Sequence, residues 1–482
     1  MQLQELVKGM SYRGNPDNCE ITAVTYDSRK VKAGTLFVAI TGFKVDGHDY
    51  IYQAIENGAA AILSNGRSPG IETIPIIQVE NPRIALSQIS AQFYGNPSES
   101  INVIGVTGTN GKTSIAHILY HILQVAGYTC GTMGTLGFRT PTGMMNTGFT
   151  TPESVEVHQM LQTLNVAGVD NVVMEISSHA LDLHRVKDVD VDVAIFSNLT
   201  PEHLDFHGDM ESYFKSKLKL FTELNASKTA VINLDDPYAE RISTMTPARV
   251  ITYGMNHKAD IHPLETKFSI NGLDSKLTFG ETELLIQSKL LGEYNLSNMM
   301  SAFAVSLAMG IPSHNIERAI RSLPPIPGRL EKITCDCPGK VFIDYAHTPD
   351  AYEKLFYTLT KLKRKKDKII TIFGCGGDRD RVKRSMMAKI SEAYSTFSYI
   401  TLDNPRTEPP DQIIADIIQG FSTPNYEIIN DRETSLETAL SNMDNDSILL
   451  VLGKGRENYQ QIGMEKFYYS DVKIIEGFQY AG

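Results

Sequence analysis

No apolar run in this chain approaches the ~20 residues that a bilayer crossing needs, so no membrane span is expected. The N-terminus, Met1-Gln-Leu-Gln-Glu5, has neither a basic stretch nor an apolar core, and no secretory leader is read there. Basic residues are in deficit: 45 Lys and Arg face 56 Asp and Glu, a formal net charge of −11. That balance argues against nucleic acid as the main partner. Cysteine is scarce, 5 in 482 residues, odd in number and scattered. Cys19, Cys130, Cys335, Cys337 and Cys375 read as reduced structural thiols of a cytosolic protein. Cys335-Asp-Cys337 is too tight for a zinc ribbon, and no second Cys/His pair lies near it. What remains is a soluble cytoplasmic chain too long for one core, with about two to four domains expected.

What is present is a glycine loop in a telling place. Ile101-Asn-Val-Ile104 reads as a buried strand, and Ile115 to Gln124 shows helical spacing of apolar residues. Between them runs Gly105-Val-Thr-Gly-Thr-Asn-Gly-Lys-Thr-Ser114. Backbone N–H groups of such a loop, with the positive end of the helix dipole, bind phosphate. Lys112 would reach the outer phosphates and the Thr113 hydroxyl would hold Mg²⁺. The general phosphate-loop pattern would put glycine where Val106 stands; here the glycines are Gly105, Gly108 and Gly111.

This variant, Thr107-Gly-Thr-Asn-Gly-Lys-Thr113, resembles the Mur ligase and folylpolyglutamate synthetase superfamily. The resemblance implies an enzyme that activates a carboxylate with ATP as an acyl phosphate and then attacks it with an amine. It implies an ATP loop at Gly108, Thr109, Asn110, Gly111, Lys112, Thr113 and Ser114. The expected fold is α/β in three domains. These are a small N-terminal α/β domain over 1–99, a central P-loop doubly wound domain over 100–330 and a C-terminal Rossmann-like domain over 331–482.

In the first domain, Asp27-Ser-Arg29, then Gly34-x-Leu-Phe-Val-Ala39, then Asp46-Gly-His48 follow short strands. Small and basic residues in such loops suit a diphosphate. Their order resembles the Mur ligases that take a UDP-N-acetylmuramoyl substrate, with Ser28 and Arg29 at matching positions. Gly42-Phe43-Lys44 departs from a His-Gln version seen in some members.

The central domain alternates strands and helices, so ligands are expected at carboxyl ends of strands. Thr150 and Thr151, before Pro152, read either as a helix start or, by resemblance, as contacts to the muramoyl group. Glu175 ends an apolar strand, where a carboxylate is costly unless it binds a cation or a donor. Ser177 and Arg185 match nucleotide-substrate positions, and His203 matches the histidine of a second Mg²⁺. Lys215, Lys217 and Lys219 alternate as on a solvated face. The resemblance instead makes Lys217 a CO₂-derived carbamate that supplies oxygen to Mg²⁺. The implied metal set is Thr113, Glu175, His203 and Lys217, and the catalytic set Lys112, Glu175, His203 and Lys217. Asn295 and Asn298 either cap a helix or lie near adenine, and Arg329 matches an arginine that reaches the ATP.

In the third domain Asp344 follows a strand and matches a ribose-binding aspartate. Three further strands lead into Arg379, into Asp403-Asn404-Pro405-Arg406 and into Gly453 and Glu457. Arginine takes a carboxylate bidentately, while Asp and Glu accept from an ammonium, so the set reads a zwitterion. Asp403-Asn-Pro-Arg406 resembles the signature of the family members that add meso-diaminopimelate; lysine-adding members lack the arginine. The implied partners are UDP-N-acetylmuramoyl-L-alanyl-D-glutamate and meso-diaminopimelate, with a monomer expected. Arg456 stands where the family often has His, and Val472-Lys473 where Arg-Glu is usual. The competing readings are a folylpolyglutamate synthetase, a ligase adding another amino acid such as L-lysine, and an inactive homologue serving as a scaffold.

Overall fold

The computed structural model describes residues 1–42, 45–67 and 73–480. Phe43 and Lys44, singled out above as a departure, lie outside the described residues. The chain divides into two compact units, Met1–Asp260 with Met300–Ile316, and Ile261–Met299 with Glu317–Gly482.

The first unit holds two sheets. Strands β1 (Ala23–Thr25), β2 (Thr35–Val38), β3 (Ala59–Ser64) and β4 (Ile76–Gln78) pair in parallel in that order. Leu36, Val38, Leu63 and Ile77 pack there with Leu86 and Ile89 of the helix Pro82–Phe93. That helix starts where Asn81 Oδ1 accepts from the N–H groups of Arg83 and Ile84, with Pro82 at its first position.

The second sheet contains β5 (Asn102–Thr107), β6 (Cys130–Gly134), β7 (Gly137–Thr140) and β8 (Gly143–Met145). It continues with β9 (Asn171–Glu175), β10 (Val193–Phe196), β11 (Thr229–Asn233) and β12 (Arg249–Tyr253). Their order is β12-β11-β10-β5-β9-β6-β7-β8, parallel from β12 to β6 and antiparallel at β7 and β8. Covered on both faces, the central strands are continuous apolar runs rather than alternating ones. At Gly105 the packing is close: a Cβ there would lie 2.8 Å from Ile176 Cδ1, and that side chain would have to shift. After β5 the chain moves to one side of that strand and later returns on the other, at β10. The loop after β5 therefore sits at the switch point where doubly wound sheets bind ligands.

The second unit begins with an antiparallel meander, β13 (Ile261–Ser269), β14 (Gly272–Phe279) and β15 (Thr282–Ser288). Its main sheet uses β16 (Glu331–Ile333), β17 (Lys340–Asp344), β18 (Lys368–Phe373), β19 (Phe397–Ile400), β20 (Tyr426–Ile428) and β21 (Ser447–Leu452). The order is β16-β17-β21-β18-β19-β20, with only β16 antiparallel. Apolar clusters cover both faces, one around Phe342, Phe356, Ile448 and Leu450, the other around Ile343, Ile372, Leu449 and Val451. A hairpin, β22 (Tyr459–Ile462) with β23 (Glu465–Tyr468), follows.

The structure corrects two local expectations. The helix after Thr150 and Thr151 begins at Ser154, capped by Glu153, so the two hydroxyls lie outside it. Cys335 and Cys337 are joined as a disulfide, against the reading of five reduced thiols; Cys19, Cys130 and Cys375 are free and buried. Among the described residues no helix is long and apolar enough to cross a membrane.

Candidate active site

The glycine loop, residues 108–111, is held from beneath by the chain that leaves β10. Thr109 N–H donates to Asn198 O at 2.8 Å and Asn110 N–H to Asn198 Oδ1 at 3.0 Å. Ser197 Oγ and Asn198 Nδ2 both donate to Asn110 O, at 2.6 and 3.1 Å. Gly108 has φ +143, and a Cβ there would collide with Ser197 Oγ, so only glycine fits. The helix Lys112–Val125 then opens on Gly111 at φ +90, directing its first N–H groups toward the loop. Lys112 Nζ donates to Gly108 O and Thr109 O, each at 2.8 Å, folded back over the cradle. Ser197 went unnoticed in the sequence, and Asn198, first residue of the strand-end motif that runs to Gly208, was given no role; their place just past a parallel strand was the available signal.

Glu175 ends β9 beside this helix and is 2 % exposed. Its carboxylate accepts from Thr113 Oγ1 at 3.0 Å, Thr135 N–H at 3.0 Å and Thr135 Oγ1 at 3.1 Å. Thr135 and Thr150 hydroxyls are 3.1 Å apart, and Thr151 Oγ1 donates to Glu175 O at 2.8 Å. A hydroxyl and a carboxylate in contact at the head of a phosphate loop are hard oxygen donors and fit Mg²⁺, which takes one or two protein oxygens and completes its shell with phosphate and water. Among the described residues no group of three His, Cys, Asp or Glu is placed to hold a metal.

Lys217 lies in the helix Met210–Thr222. Residues two apart on a helix point to nearly opposite sides, and residues four apart share a face. Lys215 and Lys219 accordingly reach solvent, whereas Lys217 is 1 % exposed and donates to Gly108 O at 3.0 Å. Burial, and then the nearby Lys112 ammonium, hold its amine well below the usual lysine range. A neutral amine is the form that adds to CO₂. His203 precedes the short helix Leu204–His207 at φ +56, its ring edge-on to His179 with centroids 4.8 Å apart.

The residues of this unit expected to meet the nucleotide substrate fall in two groups. Ser28 opens a short 3₁₀ turn and donates to Gln53 Oε1 at 2.7 Å, while the exposed Arg29 pairs with Asp27 at 2.8 Å. Arg185 donates to Thr151 O at 3.0 Å and to Glu153 Oε2 at 3.2 Å; Arg83 shares Glu153 at 2.9 Å. Ser177 caps the helix Ser178–Asp182 through the N–H of Ala180 at 3.2 Å. Arg83 and Glu153 were not anticipated.

In the second unit, Asp344 ends β17 and accepts from Leu330 N–H at 2.5 Å and Ala346 N–H at 2.7 Å. Burial raises its pKa, and Arg329 opposes the rise. Arg329 lies over the Tyr345 ring, 5.3 Å from its centre. Asn295 Nδ2 donates to Leu291 O at 2.9 Å and Asn298 Nδ2 reaches Asn295 Oδ1 at 3.4 Å; both residues lie inside the helix Glu293–Ala308 rather than at its cap. Arg456 closes on Glu331, Nε to Oε2 at 2.9 Å, and Glu331 also takes Gly328 N–H at 2.8 Å. This chain's departure from histidine thus secures the segment that carries Arg329. At the other departure, Val472 is buried, and Asp471 before it pairs with the fully buried Arg432 at 2.8 Å.

The adjacent strands β21, β18 and β19 end together, and their loops converge. Asn404 Nδ2 donates to Glu457 Oε2 at 3.0 Å, and Gly453 at φ +102 leaves room for Asp403, whose Oδ2 a Cβ would approach to 2.6 Å. Arg406 sits at φ +54 after Pro405 and donates from Nη1 to Gly377 O at 2.8 Å. Arg379, on the loop after β18, is exposed and reaches Asp378 O at 3.4 Å. Beneath these loops the fully buried Arg384 donates to Gly376 O at 3.1 Å and forks onto Glu408, both bonds 2.7 Å. Arg384, Lys454 and Tyr345 were missed because motif position says nothing of which side chain turns inward.

Three parallel-strand ends whose loops bring Asp403, Asn404 and Glu457 together, and a glycine loop with a facing carboxylate and a buried lysine, fit a nucleotide-dependent ligase of the Mur ligase family, to which this chain belongs. Family models match it in order: the Mur ligase family catalytic domain over residues 20–94, the Mur ligase middle domain over 106–306 and the Mur ligase glutamate ligase domain over 328–455. A relative from Syntrophomonas wolfei is 39 % identical over 481 residues, covering 98 % of both chains. One from Aquifex aeolicus is 40 % identical over 457 residues, covering 95 % of this chain and 93 % of its own. Both are named UDP-N-acetylmuramoyl-L-alanyl-D-glutamate–2,6-diaminopimelate ligase. A solved structure of a ligase of that name superposes with a TM-score of 0.71 at 29 % identity, covering 98 % of each chain. The fold is the three-domain α/β fold of that family.

Proposed function

We propose that this chain joins meso-2,6-diaminopimelate to UDP-N-acetylmuramoyl-L-alanyl-D-glutamate with cleavage of ATP to ADP and phosphate, in cytoplasmic peptidoglycan precursor synthesis. The observation that carries the reading is the convergence of Asp403, Asn404, Arg406 and Glu457 at adjacent strand ends in a chain alike over its whole length to ligases of that name. The domains are assigned as 1–99 for the UDP substrate, 100–330 for ATP and 331–482 for the amino acid. The protein acts as a monomer.

The loop N–H groups and Lys112 bind the ATP phosphates, Lys112 exchanging its two loop carbonyls for phosphate oxygen. Thr113 and Glu175 would hold one Mg²⁺, and His203 with carbamylated Lys217 a second, and the ions would supply positive charge to the transferring phosphoryl group. Lys217 reacts as the neutral amine: its nitrogen bonds the carbon of CO₂, a C–O electron pair moves to oxygen, and the amine proton leaves to solvent. Asn295, Arg329 and Asp344 serve the nucleoside. Ser28, Arg29, Thr150, Thr151, Ser177 and Arg185 orient the UDP-muramoyl substrate so that its terminal carboxylate attacks the γ-phosphorus and ADP departs. Arg379 and Arg406 take the distal carboxylate of diaminopimelate, while Asp403, Asn404, Gly453 and Glu457 take its ammonium. So oriented, the other amine attacks the acyl carbon as the free base, the C–O bond to phosphate breaks, the nitrogen's proton leaves with the phosphate, and the amide forms. Most of the catalysis is positioning and electrostatics.

The test is incubation with ATP, Mg²⁺, the UDP-muramoyl dipeptide and either meso-diaminopimelate or L-lysine, with product masses measured. A diaminopimelate adduct is expected. Equal addition of lysine would refute the amino-acid assignment, and no adduct with either would refute the ligase.

A further inference from the structure

Lys454 follows β21, and its side chain is 0 % exposed. The ammonium meets four oxygens: Tyr459 O at 2.9 Å, Asn404 Oδ1 at 3.1 Å, Glu457 Oε2 at 3.2 Å and Asp403 Oδ1 at 3.4 Å. Three of the four belong to residues assigned above to the substrate ammonium, and the fourth opens β22. The acceptors are also linked to their surroundings. Tyr345 OH donates to Glu457 Oε1 at 2.6 Å, and Gln461 N–H to Asn404 Oδ1 at 2.8 Å. From Gln461 the connection reaches the opposite end of the receptor. Arg406 N–H donates to Gln461 O at 3.1 Å and Gly463 N–H to Arg406 O at 2.7 Å, holding Arg406 in its left-handed conformation. One buried cation therefore ties the acceptors of an ammonium to the hairpin that seats the guanidinium meant for a carboxylate.

Resting on the function proposed above, we propose that Lys454 is the positioning residue of the amino-acid receptor. Asp403 and Glu457 carry two negative charges on converging loops; without a cation between them they repel and turn to solvent. Lys454 draws them together with Asn404 and cancels one charge. The receptor is left one positive charge short, which the ammonium of the diaminopimelate head supplies. Because its fourth contact is the first residue of β22, Lys454 also keeps the spacing between the ammonium end and Arg406. That spacing separates a ligand with an amino-carboxyl head from one with an amine alone.

The test compares wild type with K454M, which keeps the stem and loses the charge, and K454Q, which restores two donors without charge. Activation is read separately as ADP formed in a single turnover with ATP, Mg²⁺ and the UDP-muramoyl dipeptide, amino acid omitted. Both variants should keep that burst within about twofold and keep the KM for ATP. The KM for meso-diaminopimelate should rise about 10- to 100-fold, the range for one charge-assisted hydrogen bond, and the preference over L-lysine should narrow, less in K454Q than in K454M. A KM for diaminopimelate within threefold of wild type overturns the inference. So does loss of the burst and of the thermal midpoint in both variants, because that is the mark of a lysine serving the fold alone. If the wild-type protein adds no diaminopimelate, the proposed function fails first, and this is known before any variant is made.

Discussion

His158, in the helix Ser154–Val166, should make the stability of this protein fall steeply in mild acid. It is 0 % exposed, and neither ring nitrogen has a hydrogen-bond partner among the described residues. Burial pushes its pKa from the ordinary 6.5 down to about 4. Folding therefore holds the ring neutral, while the unfolded chain takes up a proton below pH 6.5. The contribution of the neutral ring is complete above pH 6.5 and is lost as pH falls toward 4. At pH 5.0 the unfolded form is protonated and the folded form is not, a difference of about 1.5 logarithmic units, or ~2 kcal/mol. Urea unfolding of wild type and His158→Leu, at pH 7.5 and pH 5.0, checks this. Other titrating groups are common to both proteins, so the wild type should lose ~2 kcal/mol more than the variant between the two values. An equal loss in both would show that His158 does not stay neutral in the fold, and the burial argument would fall.

The remaining predictions concern the chemistry. Lys112→Ala should lower ADP formation by about 10³-fold or more while leaving the circular dichroism unchanged, since the side chain rests on loop carbonyls and not in a core; ordinary turnover in that variant would remove the phosphate-loop assignment. Lys217→Ala should be nearly inactive, with partial recovery when short carboxylic acids supply the missing oxygens, and a fully active variant would return Lys217 to a packing role. Arg406→Ala should lose most diaminopimelate addition and narrow the discrimination against lysine, which an unpaired polar site can raise to roughly 10⁴-fold; unchanged selectivity in product-mass assays would place the recognition of the distal carboxylate elsewhere.

The sequence by itself determined the elements whose residues depend only on near neighbours in the chain. The run before Gly105, the glycines of the loop and the helical spacing after it identify strand, loop and helix, because backbone sterics and apolar periodicity are local properties. The strands preceding Arg379, Asp403 and Glu457 were legible for the same reason, as apolar runs ended by loop residues. Tertiary structure decided which side chains turn inward and what they meet. Lys215, Lys217 and Lys219 are indistinguishable in composition, and only the packing of their helix buries the middle one against Gly108. Thr113 and Glu175 are far apart in the chain and become neighbours because β9 pairs with β5. Asn404 meets Glu457, and Lys454 gathers four oxygens, because β21 and β19 flank β18. A buried charge is stable only where its partners are supplied, and in this protein those partners come from strands that adjoin in space and not in order.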